Sequence, residues 1–240
     1  MALTVTADLA PADWIATSTL DWSRLIEFGP SGFPAYARLR FMPDPSYPGQ
    51  SENDAPDEGE ERYAWRTRQW GVLMRLLGAR TSTPGDCYAC VWDGYGSSDA
   101  GEPPRAPQGS GDSLRRMPER YRDDPTGHWT VAPSAPRTPT RTPKLVVPNR
   151  EYYLFRGTVD DVARWEDARY SPELRVEHLR VNAPELAFVW PADRAWCVAF
   201  DVDPHWAGIG ASVEAVEALV ADENLDAVPA DPGADQPHYY

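Results

Sequence analysis

The fold is decided by residues 186–203, which have the sequence LAFVWPADRAWCVAFDVD. Two short apolar runs flank a turn at 191–194. Apolar runs on either side of a proline- and aspartate-containing turn are typical of a β-hairpin. In the second run Trp196, Val198 and Phe200 occupy alternate positions, so we expect them to face the core from one side of a central strand.

Outward from this hairpin, short apolar or alternating runs predict further strands at 36–42, 87–92, 152–155, 205–209 and 225–228. In the first of these, Arg38 and Arg40 alternate with apolar residues, which indicates a half-buried strand. Helical spacing predicts helices at 22–28, at 63–77 before Gly78, after Thr158, and after a capping Ser212. Adjacent strands with helices between groups favour an α+β fold, with an antiparallel or mixed sheet and helices mainly on one face.

The middle of the chain interrupts this pattern. Ten prolines fall between residues 96 and 148, and proline cannot donate a backbone hydrogen bond. We therefore predict a single domain whose halves are 1–95 and 149–228, an insert at 96–148 that is flexible or extended over the surface, and a disordered tail at 229–240.

The composition limits where in the cell the protein is expected and which classes of molecule it is expected to bind. The net charge of −14 disfavours nucleic acid and anionic lipid as partners. No apolar run reaches the roughly 18–20 residues of a membrane helix, and the sequence shows no signal peptide, so we expect a cytoplasmic protein. Residues 105–150 contain nine Lys/Arg and four Asp/Glu and so carry a local charge of +5, which leaves −19 for the rest of the chain. The strongly acidic remainder predicts a basic protein partner.

One constellation has the spacing of a metal site. Asp201, Asp203 and His205 recur every second residue, so a continuing strand would place all three on one face, where they could hold a divalent metal. Pro204 favours the alternative, in which the acids are ordinary turn residues at the end of a strand. No other cofactor is indicated.

Two further motifs are interpreted as structural. Cys87 and Cys90 have the spacing of a redox or zinc motif, but they lie in a predicted strand, where positions three apart point to opposite faces. Gly208 and Gly210 precede a helix like part of a phosphate loop, but the third glycine is absent and Glu214 would repel a phosphate. We interpret them as a buried strand and a tight turn.

A resemblance concerns the second half of the chain. The block WPADRAW at 190–196, its continuation VAFDVD at 198–203 and Gly208-Ile-Gly210 resemble a recurrent ending of uncharacterised actinobacterial proteins. The runs VWDGYG at 91–96 and YLFRG at 153–157 are similar to the same family. The resemblance implies no activity.

The sequence thus favours a non-catalytic, acidic binding or regulatory protein that neutralises a basic protein partner. A metal-dependent hydrolase using Asp201, Asp203 and His205 is the first alternative. A small-molecule-binding domain with an aromatic pocket is the second, because the chain contains ten tryptophans. The oligomeric state is left open by the sequence.

Overall fold

The computed structural model describes residues 3–55, 59–95, 142–169, 185–200 and 204–240. Their strands are β1 (Thr4–Val5), β2 (Ala35–Arg40), β3 (Cys87–Trp92), β4 (Leu145–Val147), β5 (Arg150–Gly157), β6 (Leu186–Pro191), β7 (Cys197–Ala199), β8 (Trp206–Ala211) and β9 (Ala227–Ala230). Their α-helices are α1 (Asp13–Ala16), α2 (Trp22–Phe28), α3 (Gly59–Gly78), α4 (Val159–Arg169) and α5 (Val213–Val220).

The strands form one antiparallel sheet in the order β1-β5-β3-β6-β7-β8-β2-β9, and β4 pairs with β5 beside β1. Strands β6, β7 and β8 follow each other in sequence and in space. Strand β2 comes from the other half of the chain and lies between β8 and β9. The two halves therefore share one sheet, as a single α+β domain requires.

The predicted hairpin is confirmed. Strands β6 and β7 pair with Phe188 opposite Ala199 and Val189 opposite Val198. Trp196, Val198 and Phe200 are all buried. Both β6 and β7 are paired with a strand on each side, and their side chains join apolar clusters on both faces of the sheet.

Helices cover both faces of the sheet unequally. The larger apolar cluster joins one face to buried residues of α3, α4 and α5, among them Leu73, Val162 and Leu219. The opposite cluster contains Ile15 of α1 and Leu25 of α2. The expectation of helices mainly on one face is thus confirmed, with two short helices closing the other.

Local sequence explains where these helices begin. At α5, the backbone amide of Ala215 donates to Oγ of Ser212 at 3.2 Å. At α4, the Asp161 amide donates to Oγ1 of Thr158, and the Thr158 amide donates to a carboxylate oxygen of Asp161. This reciprocal pair satisfies amide groups that the first helical turn leaves without partners.

The end of the insert differs from expectation. The described structure resumes at Thr142, and β4 turns into β5 through Pro148 and Asn149, so the last residues assigned to the insert belong to the sheet. Asn149 has a φ of 64°, a conformation that asparagine tolerates in turns. Residues 96–141 lie outside the described residues, and the flexibility of the insert stays a prediction.

The predicted disorder of 229–240 is corrected by the structure. Ala230 extends β9 along β2, and the following residues lie against the end of the sheet. The reason is tertiary: this segment has little periodicity of its own, but its proline and tyrosine groups find hydrogen-bond partners on β8 and on the loop after β2.

Candidate functional site

His205, the described member of the predicted metal triad, lies at the start of β8 beside the loop that follows β2. Its Nε2 is 3.0 Å from Oδ1 of Asp44, and its carbonyl oxygen accepts a hydrogen bond from the Phe41 amide. Only 3 % of the His205 side chain is exposed, so this imidazole is part of the protein interior.

The Asp44 carboxylate is the centre of a charged cluster. Both terminal nitrogens of Arg38 donate to it, at 2.7 and 3.1 Å, and Nη1 of Arg40 donates at 3.1 Å. Burial alone would raise the pKa of Asp44, but hydrogen bonds from Arg38, His205 and Arg40 outweigh it and lower the pKa to about 2. Asp44 is therefore ionised at neutral pH.

The cluster also ties β9 and α3 to β2. Nη2 of Arg40 donates to Oδ1 of Asp226 at 2.6 Å. The buried Gln69 of α3 donates to the Arg40 carbonyl and accepts from the Asp226 amide. These side chains thereby link β2 to α3 and to the residue before β9, and the charged ones neutralise one another.

The protonation of His205 follows from these neighbours. Burial lowers its pKa, the carboxylate of Asp44 acts in the opposite sense, and Arg38 and Arg40 lower it again, so the net shift is downward from 6.5. The imidazole is therefore neutral at neutral pH, with the Nε2 proton donated to Asp44. Its Nδ1 then carries a lone pair, and neither Nδ1 nor Nε of Arg38 has a hydrogen-bond partner in the described part of the chain.

A histidine held by a carboxylate has the form of a general base. Here the free nitrogen is buried, and no hydroxyl or thiol of the described residues donates to it. The arrangement positions β2, β8 and the 43–50 loop, and we assign no proton transfer to it.

The metal hypothesis is not decided by these positions. Asp201 and Asp203 lie outside the described residues, and Nε2 of His205 faces Asp44 instead of a shared ligand point. Within the described residues, no group of three or more His, Cys, Asp or Glu side chains could hold a metal ion.

Sequence reasoning missed Arg38, Arg40 and Asp44. The alternation of Arg38 and Arg40 with apolar residues predicted a solvent-facing side for Arg38, but this residue is only 6 % exposed. The Trp206 ring, 5.4 Å from its guanidinium carbon, and the Asp44 carboxylate cover it. A buried arginine has the same sequence pattern as an exposed one, and only Asp44 six residues later offered a signal.

The interpretation of the cysteines is confirmed. Cys87 belongs to the apolar cluster under α3 and α4, whereas Cys90 belongs to the cluster on the opposite face. Burial raises the pKa of Cys87 to about 12 and raises those of Cys90 and Cys197. All three are free, buried thiols, which lack the low pKa of reactive cysteines.

The two glycines of the loop-like motif lie inside β8 rather than in a turn. A Cβ atom at Gly208 would collide with the Glu27 carbonyl oxygen, and one at Gly210 with the Phe33 ring. Close packing of α2 and its following loop on the sheet therefore explains both glycines. Neither is placed to cradle a phosphate.

Two grooves flank the exposed side of α3. One, of about 640 Å³, runs between α3 and α4 and has Met74, Arg75 and Val159 among its lining residues. The other, of about 360 Å³, includes Trp65 and Arg68. No aromatic side chain is among the described lining residues of the larger groove, so it does not match the expected aromatic pocket.

The exposed face of α5 has a different character. Ala215, Val216 and Leu219 are buried, while Val213 and Val220 are 44 % and 38 % exposed. Glu214 and Glu217 are exposed on the same helix, and hydrogen bonds from its own amide and from Ser212 lower the pKa of Glu214. This helix combines exposed apolar groups with exposed carboxylates.

No helix of the described residues is long and apolar enough to cross a membrane. No protein-family model, curated protein or solved structure matches the chain. The resemblance to actinobacterial proteins stays a prediction, and the function has to be argued from the structure itself.

Proposed function

We propose that the protein is a non-catalytic binding protein that docks a basic, partly apolar polypeptide on the exposed face of α5. The observation that carries this proposal is the combination of Val213 and Val220 with carboxylates that have no cationic partner among the described residues. These carboxylates belong to Glu214, Glu217 and Glu223.

The apolar part is concentrated. The described residues contain five exposed large hydrophobic side chains, and two of these lie on the eight residues of α5. Positions seven apart lie on the same side of a helix, about 10 Å apart along its axis. Val213 and Val220 can therefore contact one segment of a partner, with Glu217 between them.

The charge around this face has one sign. Between residues 195 and 240 the chain has nine Asp/Glu and no Lys or Arg. Three of these carboxylates are paired with arginines from elsewhere in the chain, namely Asp222 with Arg75, Asp226 with Arg40 and Asp235 with Arg24. Six acids remain, of which Asp201 and Asp203 lie outside the described residues. Among the other four, the three glutamates named above attract a basic partner, which raises its association rate.

The size of α5 limits the affinity. Stable complexes bury about 800 Å² on each partner, more than the exposed side of one short helix offers. We therefore expect a transient complex whose affinity falls as the salt concentration rises. Dissolved ions screen exposed charges over a Debye length of about 10 Å at 0.1 M ionic strength, so exposed ion pairs contribute less at higher salt.

The test uses photo-crosslinking in cells that express the full chain. A photoreactive residue replaces Val213 in one variant and Val146 in a control variant, because Val146 is an exposed valine on β4 with 60 % exposure. Crosslinked proteins specific to position 213 are identified, and the affinity of each purified candidate for the unmodified chain is measured at low and high salt.

We expect a basic candidate whose affinity falls about three- to tenfold in the double variant Glu214→Gln/Glu217→Gln and in Val213→Ala/Val220→Ala. The control Val146→Ala should leave the affinity unchanged. A candidate that is acidic, that binds equally well at high salt, or that crosslinks equally at positions 213 and 146 would refute the proposal.

A further inference from the structure

Segment 236–240, with the sequence QPHYY, lies on the outer side of the charged cluster. The Pro237 carbonyl accepts a hydrogen bond from Nε1 of Trp206 at 3.2 Å. The Tyr239 hydroxyl donates to the Pro43 carbonyl at 2.8 Å, and the Tyr239 ring meets the His205 ring edge-on at a centroid distance of 4.9 Å. The Tyr240 amide donates to the Gln50 carbonyl at 3.0 Å.

These contacts have the form by which extended peptides are bound. The segment is neither helix nor strand, and it contacts the rest of the chain through the Pro237 carbonyl, the Tyr239 ring and hydroxyl, and the Tyr240 amide. Extended ligands are recognised in this manner, through main-chain hydrogen bonds that give affinity and side-chain contacts that give specificity.

The surface beneath the segment is held by other parts of the molecule. Oε1 of Gln50 accepts from the Ser46 amide at 2.7 Å, which closes the 43–50 loop on itself. His205 is held by Asp44, and the Trp206 ring packs on Phe28 at 5.2 Å between centroids. None of these contacts involves segment 236–240, so the surface keeps its shape when the segment leaves.

We propose that the surface formed by Pro43, Gln50, His205 and Trp206 is a peptide-binding site, which segment 236–240 occupies within the chain and which a partner peptide can occupy instead when it presents a main-chain carbonyl two residues before a tyrosine. The indole N–H of Trp206 binds the main-chain carbonyl, whatever the side chain of that residue. The Pro43 carbonyl and the His205 imidazole select the tyrosine two positions later. This surface is distinct from the exposed face of α5, and the inference does not depend on the proposed function.

The segment acts on this site as an intramolecular competitor. Because the segment is covalently attached by a short stretch of chain, its effective concentration at the site is on the order of millimolar. A free peptide of the same sequence has to compete with the attached segment, so it binds the intact chain only weakly. A substitution that weakens the segment's own contacts should open the site to the free peptide. Tyr239 makes the ring and hydroxyl contacts, whereas the Tyr240 side chain is 77 % exposed and serves as the matched control.

The experiment measures fluorescence anisotropy of a labelled peptide with the sequence of residues 234–240, capped at both ends so that no terminal charge contributes. The proteins are the full chain and its variants Tyr239→Ala, Tyr239→Phe and Tyr240→Ala. We expect Tyr239→Ala to bind the peptide about tenfold more tightly than the unmodified chain and Tyr240→Ala to match the unmodified chain. Tyr239→Phe keeps the ring and the fold, and should give an intermediate value.

A second arm exchanges tyrosine for phenylalanine in the peptide. We expect a loss of about three- to tenfold when the phenylalanine stands at the position of Tyr239, where the hydroxyl donates to Pro43, and no loss at the position of Tyr240. The proposal is overturned if folded Tyr239→Ala and Tyr239→Phe chains bind the peptide no better than the unmodified chain. It is equally overturned if the two phenylalanine peptides bind alike.

Discussion

Strands β3 and β2 both bury side chains on two faces, but they do so with different chemistry. In β3, Ala89 and Val91 join the cluster under the long helices, and Tyr88 and Cys90 join the opposite cluster. No charged group is buried within this strand. Burial of such groups is favourable by itself and depends little on pH or salt.

Strand β2 buries Ala37 and Leu39 under the helices, but its other face buries Arg38. Removing a guanidinium from water is costly unless its hydrogen bonds and charge are matched. Asp44 supplies the opposite charge and accepts hydrogen bonds from both terminal nitrogens, whereas Nε has no partner among the described residues. The half of the sheet around β3 is therefore stabilised by apolar area, whereas the half around β2 also needs a carboxylate that stays ionised.

The largest expected effect tests the apolar half. Phe188 is fully buried next to β3 and meets the Tyr152 ring at 5.4 Å between centroids. Phe188→Ala should lower the free energy of unfolding by about 3–5 kcal/mol, because it removes apolar contacts and leaves a cavity. Urea titrations should show the same loss at pH 7 and at pH 5. A loss that varies strongly with pH would end the distinction between the two strands.

The second effect tests the charged half. Asp44→Ala should lower the free energy of unfolding by about 2–4 kcal/mol, because it leaves Arg38 buried without its carboxylate. Asp44→Asn, whose amide oxygen still accepts a hydrogen bond, should lose less. Glu223→Ala, which removes an exposed acid in the turn between α5 and β9, is the control and should stay within about 0.5 kcal/mol of the unmodified chain. Equal values for Asp44→Ala and Glu223→Ala would show that the cluster contributes nothing to stability.

The smallest effect is the pH dependence of β2. The pKa of Asp44 is lowered from 3.8 to about 2, so the unfolded chain binds more protons and stability falls as the pH drops from about 4 to about 2. The pKa of His205 is lowered from 6.5, chiefly by burial, so its contribution is also lost as the pH falls below 6.5. Solvent screening of the partly exposed Asp44 limits its share to roughly 1 kcal/mol.

Three variants separate these contributions in urea titrations from pH 7 to pH 2. His205→Gln should remove the decrease that begins below pH 6.5, and Asp44→Asn should flatten the decrease between about pH 4 and about pH 2. Phe188→Ala should shift the whole curve downward without changing its shape. If His205→Gln retains the decrease between pH 6.5 and pH 5, a group other than this imidazole is responsible for it.

Much of the sheet could be predicted from local pattern. The bounds of β3 match the predicted strand, the hairpin forms around 191–194, and Ser212 caps α5. Each depends on residues within a few positions of one another, where side-chain periodicity and capping chemistry act directly. The opposite faces of Cys87 and Cys90 follow from the same period of two.

The charged cluster and the position of segment 236–240 were decided only by the tertiary structure. Asp44 and His205 are 161 residues apart in sequence, and Arg40 and Asp226 are 186 apart. They meet because β2 from the first half of the chain lies between β8 and β9 from the second. The alternation of side chains along a strand predicts which of its residues share a face, but it does not predict which strand lies next to that strand in the sheet. Whether Arg38 faces water or Asp44, and whether Tyr239 finds His205, therefore depends on the order of strands in the sheet.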